Sequence, residues 1–314
     1  MKYLVLIATV AALCFSSHSV FADQAGQKTV LVTGASSGIG LRITELLSAN
    51  GYLVYAGARK KQDLQRLEAM KNVQSVRLDV TVQEDIDAAV KFVTDQGRGL
   101  HGLVNNAGIA VIGPLIEVPV SELEWQMNVN VLGPYRVTQA FAPLIIASKG
   151  RITTISSISG ILSGSMYGPY SMSKHAVESF ADSLASEMQR FGVKVSVIEP
   201  GSYASKIGQS FVSRLEKTGY WTEGTAYQDE LERMKSMMAG ESKLKDPTDV
   251  AEAVMHALFS DTPKTRYMVV PNPRQAEITI RKAMSEMLQL NHDQAHSYSR
   301  EQLIEMLDQE LKEL

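Results

Sequence analysis

The chain has 314 residues, with 31 Lys plus Arg against 34 Asp plus Glu, a formal net charge of −3. An apolar fraction of 45% and a charged fraction of 21% are those of a soluble globular protein; they exclude a disordered chain, a many-spanning membrane protein and binding of nucleic acid by bulk charge. The only cysteine is Cys14, so from Lys28 onward there is no disulfide, thiol nucleophile or thiolate metal site, and any redox chemistry must use a bound cofactor.

At the N-terminus, Lys2 precedes an apolar run from Tyr3 to Phe15, and Val20-Phe21-Ala22 offers small or β-branched residues at positions −3 and −1 of a cleavage after Ala22. Thirteen helical residues at 1.5 Å each cover about 20 Å, short of the roughly 30 Å of a bilayer core. Residues 1–22 therefore read as a secretory signal peptide or, if uncleaved, as a membrane tether. The expected location is exported or membrane-associated rather than cytoplasmic.

From Lys28 the pattern is regular. Apolar runs at Thr29 to Thr33, Leu53 to Ala58, Val73 to Leu78, Leu100 to Val104, Arg151 to Ser156, Val193 to Ile198 and Tyr267 to Val270 predict strands, and the segments between them have helical character. Such alternation predicts right-handed crossovers and a doubly wound parallel sheet covered on both faces, an α/β fold. The stretch from Ser205 to Gly240 breaks the pattern with an amphipathic, Met-rich region. Residues 28–272 form the expected main domain and 273–314 a helical C-terminal extension, whose last helix starts with a capping box at Ser299 and Gln302.

Between the first strand and first helix stands Thr33-Gly34-Ala35-Ser36-Ser37-Gly38-Ile39-Gly40. Glycines there let backbone approach a pyrophosphate, which the helix N-terminal N–H groups face. Further along, Tyr170 and Lys174 stand at i and i+4, on one face of a helix, where the ammonium can stabilise the phenolate that acid–base work near neutral pH requires. Ser157 lies upstream at a strand end, within reach of a substrate oxygen.

Taken together, Thr33 to Gly40, Asn105-Asn106-Ala107-Gly108, Asn130-Val131-Leu132-Gly133, Ser156 to Gly160, Tyr170-Ser171-Met172-Ser173-Lys174 and Glu199-Pro200-Gly201 with Ser205 resemble the short-chain dehydrogenase/reductase family from about Lys28 to Asn272. Phe191 to Val195 before Ile198 looks most like its retinol and hydroxysteroid dehydrogenase branch. The resemblance implies a Rossmann-type sheet of about seven strands. It implies a catalytic tetrad of Asn130, Ser157, Tyr170 and Lys174, with Asn130 holding a water that links Lys174 to solvent. It implies a cofactor site of Gly34, Ser36, Ser37, Gly38, Ile39, Gly40, Arg59, Asp79, Asn106, Ala107, Gly108, Tyr170, Lys174, Pro200, Gly201 and Ser205, the last standing where Thr is usual. It also implies a homodimer through the helices carrying Trp125 to Ala147 and Tyr170 to Arg190.

The cofactor expected is NADP rather than NAD. Ala58 stands 18 residues after Gly40, where an NAD site usually has a carboxylate for the ribose hydroxyl, and Arg59, Lys60 and Lys61 follow it. Asp63 is further on, inside the next helix. No metal is expected: His292 and His296 have i, i+4 spacing but no apolar scaffold. His175 and His101 read as packing or surface residues.

Phe211, Tyr220, Trp221 and the loop Ile161 to Gly168 could wall a pocket for a lipophilic alcohol or ketone; alternatively those aromatics are core. The reading is an NAD(P)-dependent oxidoreductase interconverting a secondary alcohol and a ketone. Its rivals are a non-catalytic nucleotide-binding regulator and a carbonyl reductase of polar substrates.

Overall fold

A computed structural model describes residues 26–221, 224–239 and 244–313. The leader and Cys14 lie outside these. Seven strands appear in chain order: β1 Thr29–Val32, β2 Leu53–Ala58, β3 Val73–Arg77, β4 Gly102–Asn105, β5 Arg151–Ile155, β6 Lys194–Pro200 and β7 Arg266–Val269. They pair in the order β3-β2-β1-β4-β5-β6-β7, all parallel, with Val30 opposite Val54 on one side and Gly102 on the other. The strands are where their apolar runs predict, because a strand covered on both faces must be apolar on both. The fourth run differs slightly: Leu100 is buried, but pairing begins only at Gly102.

The helices are α1 Gly38–Ala49, α2 Lys61–Glu68, α3 Gln83–Asp95, α4 Val120–Met127, α5 Gly133–Ala147, α6 Gly168–Met188, α7 Ile207–Thr218, α8 Gln228–Ala239 and α9 Thr248–Phe259. On one face of the sheet, Ile43 and Leu47 of α1 and Val250 and Val254 of α9 bury against Val30, Val32 and Val54. On the other, Ile86 and Val93 of α3 and Val137, Phe141 and Ile145 of α5 bury against Leu31, Leu103 and Ile152. At about 25 cal/mol per Å² of apolar surface removed from water, these two layers are the main stabilising term. They fix β1 and β4 at the centre of the sheet. The chain leaves these two neighbours in opposite directions along the sheet, which opens a crevice beyond their carboxyl ends.

Residues 272–314 form a separate compact unit of two helices, α10 Pro273–Asn291 and α11 Arg300–Glu313. Asn272 caps α10 by accepting from the Gln275 N–H at 3.1 Å. The capping box of α11 is present in both directions: Gln302 Oε1 accepts from the Ser299 N–H at 2.8 Å and Ser299 Oγ from the Gln302 N–H at 3.3 Å. Among the described residues no helix is long and apolar enough to cross a membrane.

Candidate active site

The crevice begins with the turn after β1. Gly34 and Gly38 have φ of 66° and 53°, in the left-handed region that favours glycine. A Cβ on Gly34 would lie 2.9 Å from the Cα of Ala107, and one on Gly40 would collide with the Asn106 amide and the Gly34 carbonyl. The turn is fastened to the end of β4. Thr33 Oγ1 accepts from the N–H groups of Asn106 and Ala107 at 2.9 and 3.0 Å, and the Asn106 amide donates to the carbonyls of Thr33 and Gly34 at 2.9 and 3.2 Å. Asn106 thus does more than end a strand: it holds the two central strand ends in one register. Ser37 precedes α1 in extended conformation without a side-chain cap, leaving the helix's first N–H groups facing the crevice.

The cavity above these ends measures about 610 Å³. Its lining includes Gly34, Ser36, Ser37, Gly38, Ile39, Gly40, Arg59, Asp79, Asn106, Ala107, Gly108, Ser157, Tyr170, Lys174, Pro200, Gly201 and Ser205. All the predicted cofactor residues are therefore gathered in one place. Asn130 is the exception among the predicted site residues, sitting one layer behind.

Tyr170 and Lys174 share a face of α6, with the lysine Nζ 5.6 Å from the tyrosine ring centre. Burial pushes the Tyr170 hydroxyl up to about 12, opposed by a hydrogen bond with Ser157. Burial pulls the Lys174 ammonium down to about 8, opposed by the charge of Glu178. The apolar setting therefore works against both charged forms, and each needs a specific partner. Lys174 Nζ donates to the Ile155 carbonyl at 3.0 Å, which anchors the side chain to the end of β5. Ser157, in extended conformation after β5, accepts from the Ser159 N–H at 3.1 Å and lies 3.4 Å from the Pro200 carbonyl.

Asn130 lies in a π-helical turn, Asn128–Leu132, between α4 and α5. Its amide donates to the Ile109 carbonyl at 2.9 Å and to Ser173 Oγ at 3.0 Å, and its Oδ1 accepts from the Ile109 N–H at 2.9 Å. It ties the segment that follows β4 to the helix bearing Lys174. A Cβ on Gly108 would sit 3.5 Å from Asn130 Oδ1 and 3.9 Å from Lys174 Nζ, so both groups border the same glycine.

At the other end of the cavity, Arg59 Nη1 lies 3.5 Å from Asp79 Oδ2. Burial pushes the Asp79 carboxyl up, but hydrogen bonds from the Thr81 hydroxyl and N–H, together with Arg59, outweigh it and hold it below the usual range. Asp79 does not cap α3. Asp63 turns to Arg66 at 3.2 Å, and Arg66 reaches back to the Ser36 carbonyl at 2.5 Å. That second cation beside the glycine turn, and Lys206 in the lining, were not singled out by the sequence reading; neither belongs to a motif.

Of the two readings of the aromatics the core one holds, while Leu162, Gly164 and Tyr167 of the loop Ile161 to Gly168 do line the cavity. Phe211 and Trp221 are 0% and 1% exposed and pack with Ala110, Ile112, Leu215 and Leu231 in a small core of their own, and the Tyr220 hydroxyl donates to the Ile112 carbonyl at 2.9 Å. None of the three lines the cavity. The apolar part of its lining includes instead Ile112, Leu162, Tyr167, Ile207, Met237 and Leu244. His101 bonds the Thr29 N–H at 3.2 Å, as a packing residue does, whereas His175 is exposed and bonds the Ser171 carbonyl at 2.9 Å on its own helix. Among the described residues no group of three metal-binding side chains is gathered.

Comparison with known proteins adds an independent line. The model of the short chain dehydrogenase family matches residues 28–216. The chain is 36% identical over 274 residues to the mitochondrial D-beta-hydroxybutyrate dehydrogenase of Bos taurus, covering 80% of this chain and 79% of that one. It is 34% identical to a 3beta-hydroxysteroid dehydrogenase of Caenorhabditis elegans over 81% and 71% of the two chains. It is 36% identical to the NADPH-dependent 3-dehydrocapnine reductase of Ornithobacterium rhinotracheale over 77% and 87%. The crystal structure of a short-chain dehydrogenase from Streptomyces avermitilis superposes with a TM-score of 0.72 at 29% identity, covering 84% of this chain and 95% of that one.

Proposed function

Because the chain belongs to the short-chain dehydrogenase family, we propose that it is a nicotinamide-dependent oxidoreductase interconverting a secondary alcohol and a ketone, with Tyr170 as its acid/base. The observation that carries this reading is the meeting of Tyr170, Lys174 and Ser157 in the same crevice as the glycine turn. The cradle fits a dinucleotide: backbone can approach phosphates only where Gly34 and Gly40 leave no room for a Cβ, and the first N–H groups of α1 face that space. A nicotinamide nucleotide held there would supply or accept the hydride.

The chain's own part is proton handling and positioning. In the reducing direction Tyr170 gives its hydroxyl proton to the ketone oxygen, and Ser157 holds that oxygen by a hydrogen bond. Lys174 stabilises the phenolate left behind, and Asn130 fixes α6 relative to β4 and keeps a water at Lys174 for reprotonation. A tetrad complete in its four members argues against a non-catalytic regulator.

We read the substrate as lipophilic, since apolar side chains such as Ile112, Leu162 and Ile207 share the cavity with Tyr170; a relative named for hydroxysteroids supports this. NADP is the favoured cofactor, because Arg59 lines the cavity and no carboxylate follows Ala58 directly; a relative named as NADPH-dependent supports it. A homodimer through α5 and α6 is consistent with Leu132, Tyr135 and Met172 being 46–55% exposed. Export or tethering by residues 1–22 completes the proposal, and the N-terminal sequence of protein from its native source checks it.

Tyr170→Phe is the direct test. Positioned acid–base catalysis contributes roughly 10²- to 10⁴-fold, so kcat should fall by that order while cofactor binding persists. Turnover near that of the parent enzyme would overturn the reading.

A further inference from the structure

Beneath the face of α6 that carries Lys174, three carboxylates converge on one guanidinium. Arg266, at the start of β7, donates to Glu178 of α6, to Glu199 of β6, and to both oxygens of Asp182 at 2.8 and 3.0 Å. Glu178 and Glu199 are buried, whereas the Asp182 side chain is 67% exposed. Arg266 does not fully offset the two buried carboxylates: burial and the neighbouring Glu178 hold Glu199 up at about 7, partly protonated near neutral pH.

Glu178 also uses its oxygens unequally. One meets Arg266, while the other, Oε1, is buried without a hydrogen-bond partner. That oxygen lies against the turn between β5 and α6, where a Cβ on Gly160 would come within 2.7 Å of it. One helical turn earlier on the same face is Lys174, itself buried at the crevice floor. A cation so placed needs a carboxylate nearby, and Glu178 is the one its own helix supplies.

We propose that Glu178 is the counter-charge of Lys174: a positioning residue, fixed by Arg266, that keeps the lysine in its ammonium form and so ready to stabilise the Tyr170 phenolate. The proposal rests on the reading of Lys174 as partner of Tyr170. The burial that draws Lys174 down to about 8 is opposed by Glu178 alone among its neighbours. The titratable groups on the elements around it are Tyr167 and Tyr170 at the start of α6, the exposed His175 paired with the Ser171 carbonyl, Asp182 further along the helix, Glu199 and the exposed Lys194 of β6, and Arg266 of β7. From α4, Glu122 is engaged by Arg214 at 2.7 Å and Glu124 is exposed. The turns 128–132 and 158–160 bring only uncharged side chains.

The test reads Lys174 directly and needs no substrate. The rate at which acetic anhydride labels Lys174 in the full chain, followed by peptide mass spectrometry against pH, gives the midpoint at which the amine loses its proton. Removing a negative charge beside an ammonium disfavours the charged form, and an Arg266 released from Glu178 acts in the same direction. In Glu178→Gln the midpoint should therefore fall by on the order of one pH unit. Glu178→Asp, which keeps the charge but draws it back by one methylene, should lower the midpoint by less, and it carries the test if the Gln variant does not fold. Asp182→Asn removes an exposed carboxylate from the same guanidinium and should leave the midpoint in place. A folded Gln or Asp variant at position 178 with an unmoved midpoint, or an equal shift in Asp182→Asn, would overturn the assignment. Loss of the Tyr170 reading would show instead in the turnover of Tyr170→Phe, which this measurement does not use.

Discussion

Arg59 has a neighbouring anion already, and how firmly it is held decides whether the residue can serve a cofactor phosphate. Its pair with Asp79 is long and its side chain is 62% exposed, and exposed pairs of this kind are worth about 0–1 kcal/mol. Asp79 does not depend on it, since Thr81 satisfies the carboxylate at 2.7 and 3.0 Å. Arg59 is thus free to turn to a 2′-phosphate, with Arg66 nearby. Charge-assisted hydrogen bonds contribute about 1.5 to 3 kcal/mol, so Arg59→Ala should weaken NADP by roughly 10- to 100-fold and leave NAD nearly unchanged. Fluorescence titration of both cofactors into parent and variant checks this; equal losses, or a parent that prefers NAD, would reverse the preference. Gly40 makes a second residue-scale prediction. Gly40→Ala drives a methyl into the Asn106 amide that fastens the turn, so nucleotide binding should be lost in calorimetry even where the fold survives.

Among the elements, the strands were readable because residues such as Val30 to Val32 and Val197 to Ile198 are buried on both faces and so are apolar in succession. Motif spacing located the glycine turn and the Tyr170–Lys174 helix for a related reason: both are local patterns within one or two turns of chain. The Phe211–Trp221 region was not readable in that way. An apolar side chain shows only that it is buried, not which concavity it faces, and these face a satellite core. The π-helical turn under Asn130 and the Arg266 cluster were equally hidden, since they depend on partners up to 88 residues apart in sequence. The core assignment of Phe211 is itself testable. Phe211→Ala should cost about 3–5 kcal/mol by denaturant unfolding, as large-to-small core changes do, while cofactor affinity holds. A variant of unchanged stability and altered substrate preference would return Phe211 to the pocket wall.

For the whole molecule, one buried acid shapes the dependence of stability on pH. Burial, reinforced by the neighbouring Glu178, raises Glu199 to about 7 from an ordinary 4.5 despite Arg266. A folded-state value above the unfolded one means that the native protein binds this proton more tightly. The stabilisation is therefore complete below about 4.5 and is lost as pH rises through about 7. Melting temperatures across that window should show a downward contribution in the parent that Glu199→Gln removes. Among the described residues every strand and every crevice residue lies between 28 and 271, so a chain ending at Pro271 should still bind its nucleotide. Loss of binding on that truncation would give α10 and α11 a part in the site.

The pairing of β1 with β4 has a consequence in time as well as space. Val30 meets Gly102, 72 residues later, whereas β1, β2 and β3 follow one another closely along the chain. At roughly 5–20 residues per second, synthesis of the intervening segment takes about 4 to 14 s, during which the three early strands can associate but the centre of the sheet has only one side. Throughout that interval Thr33 and Gly34 have no Asn106 to hold them. A ribosome-bound chain stopped before Asn106 therefore carries the whole glycine turn without the amide that fastens it. On the proposed function, the nucleotide becomes a ligand, and so a stabiliser of the native state, only once the chain has grown past Asn106.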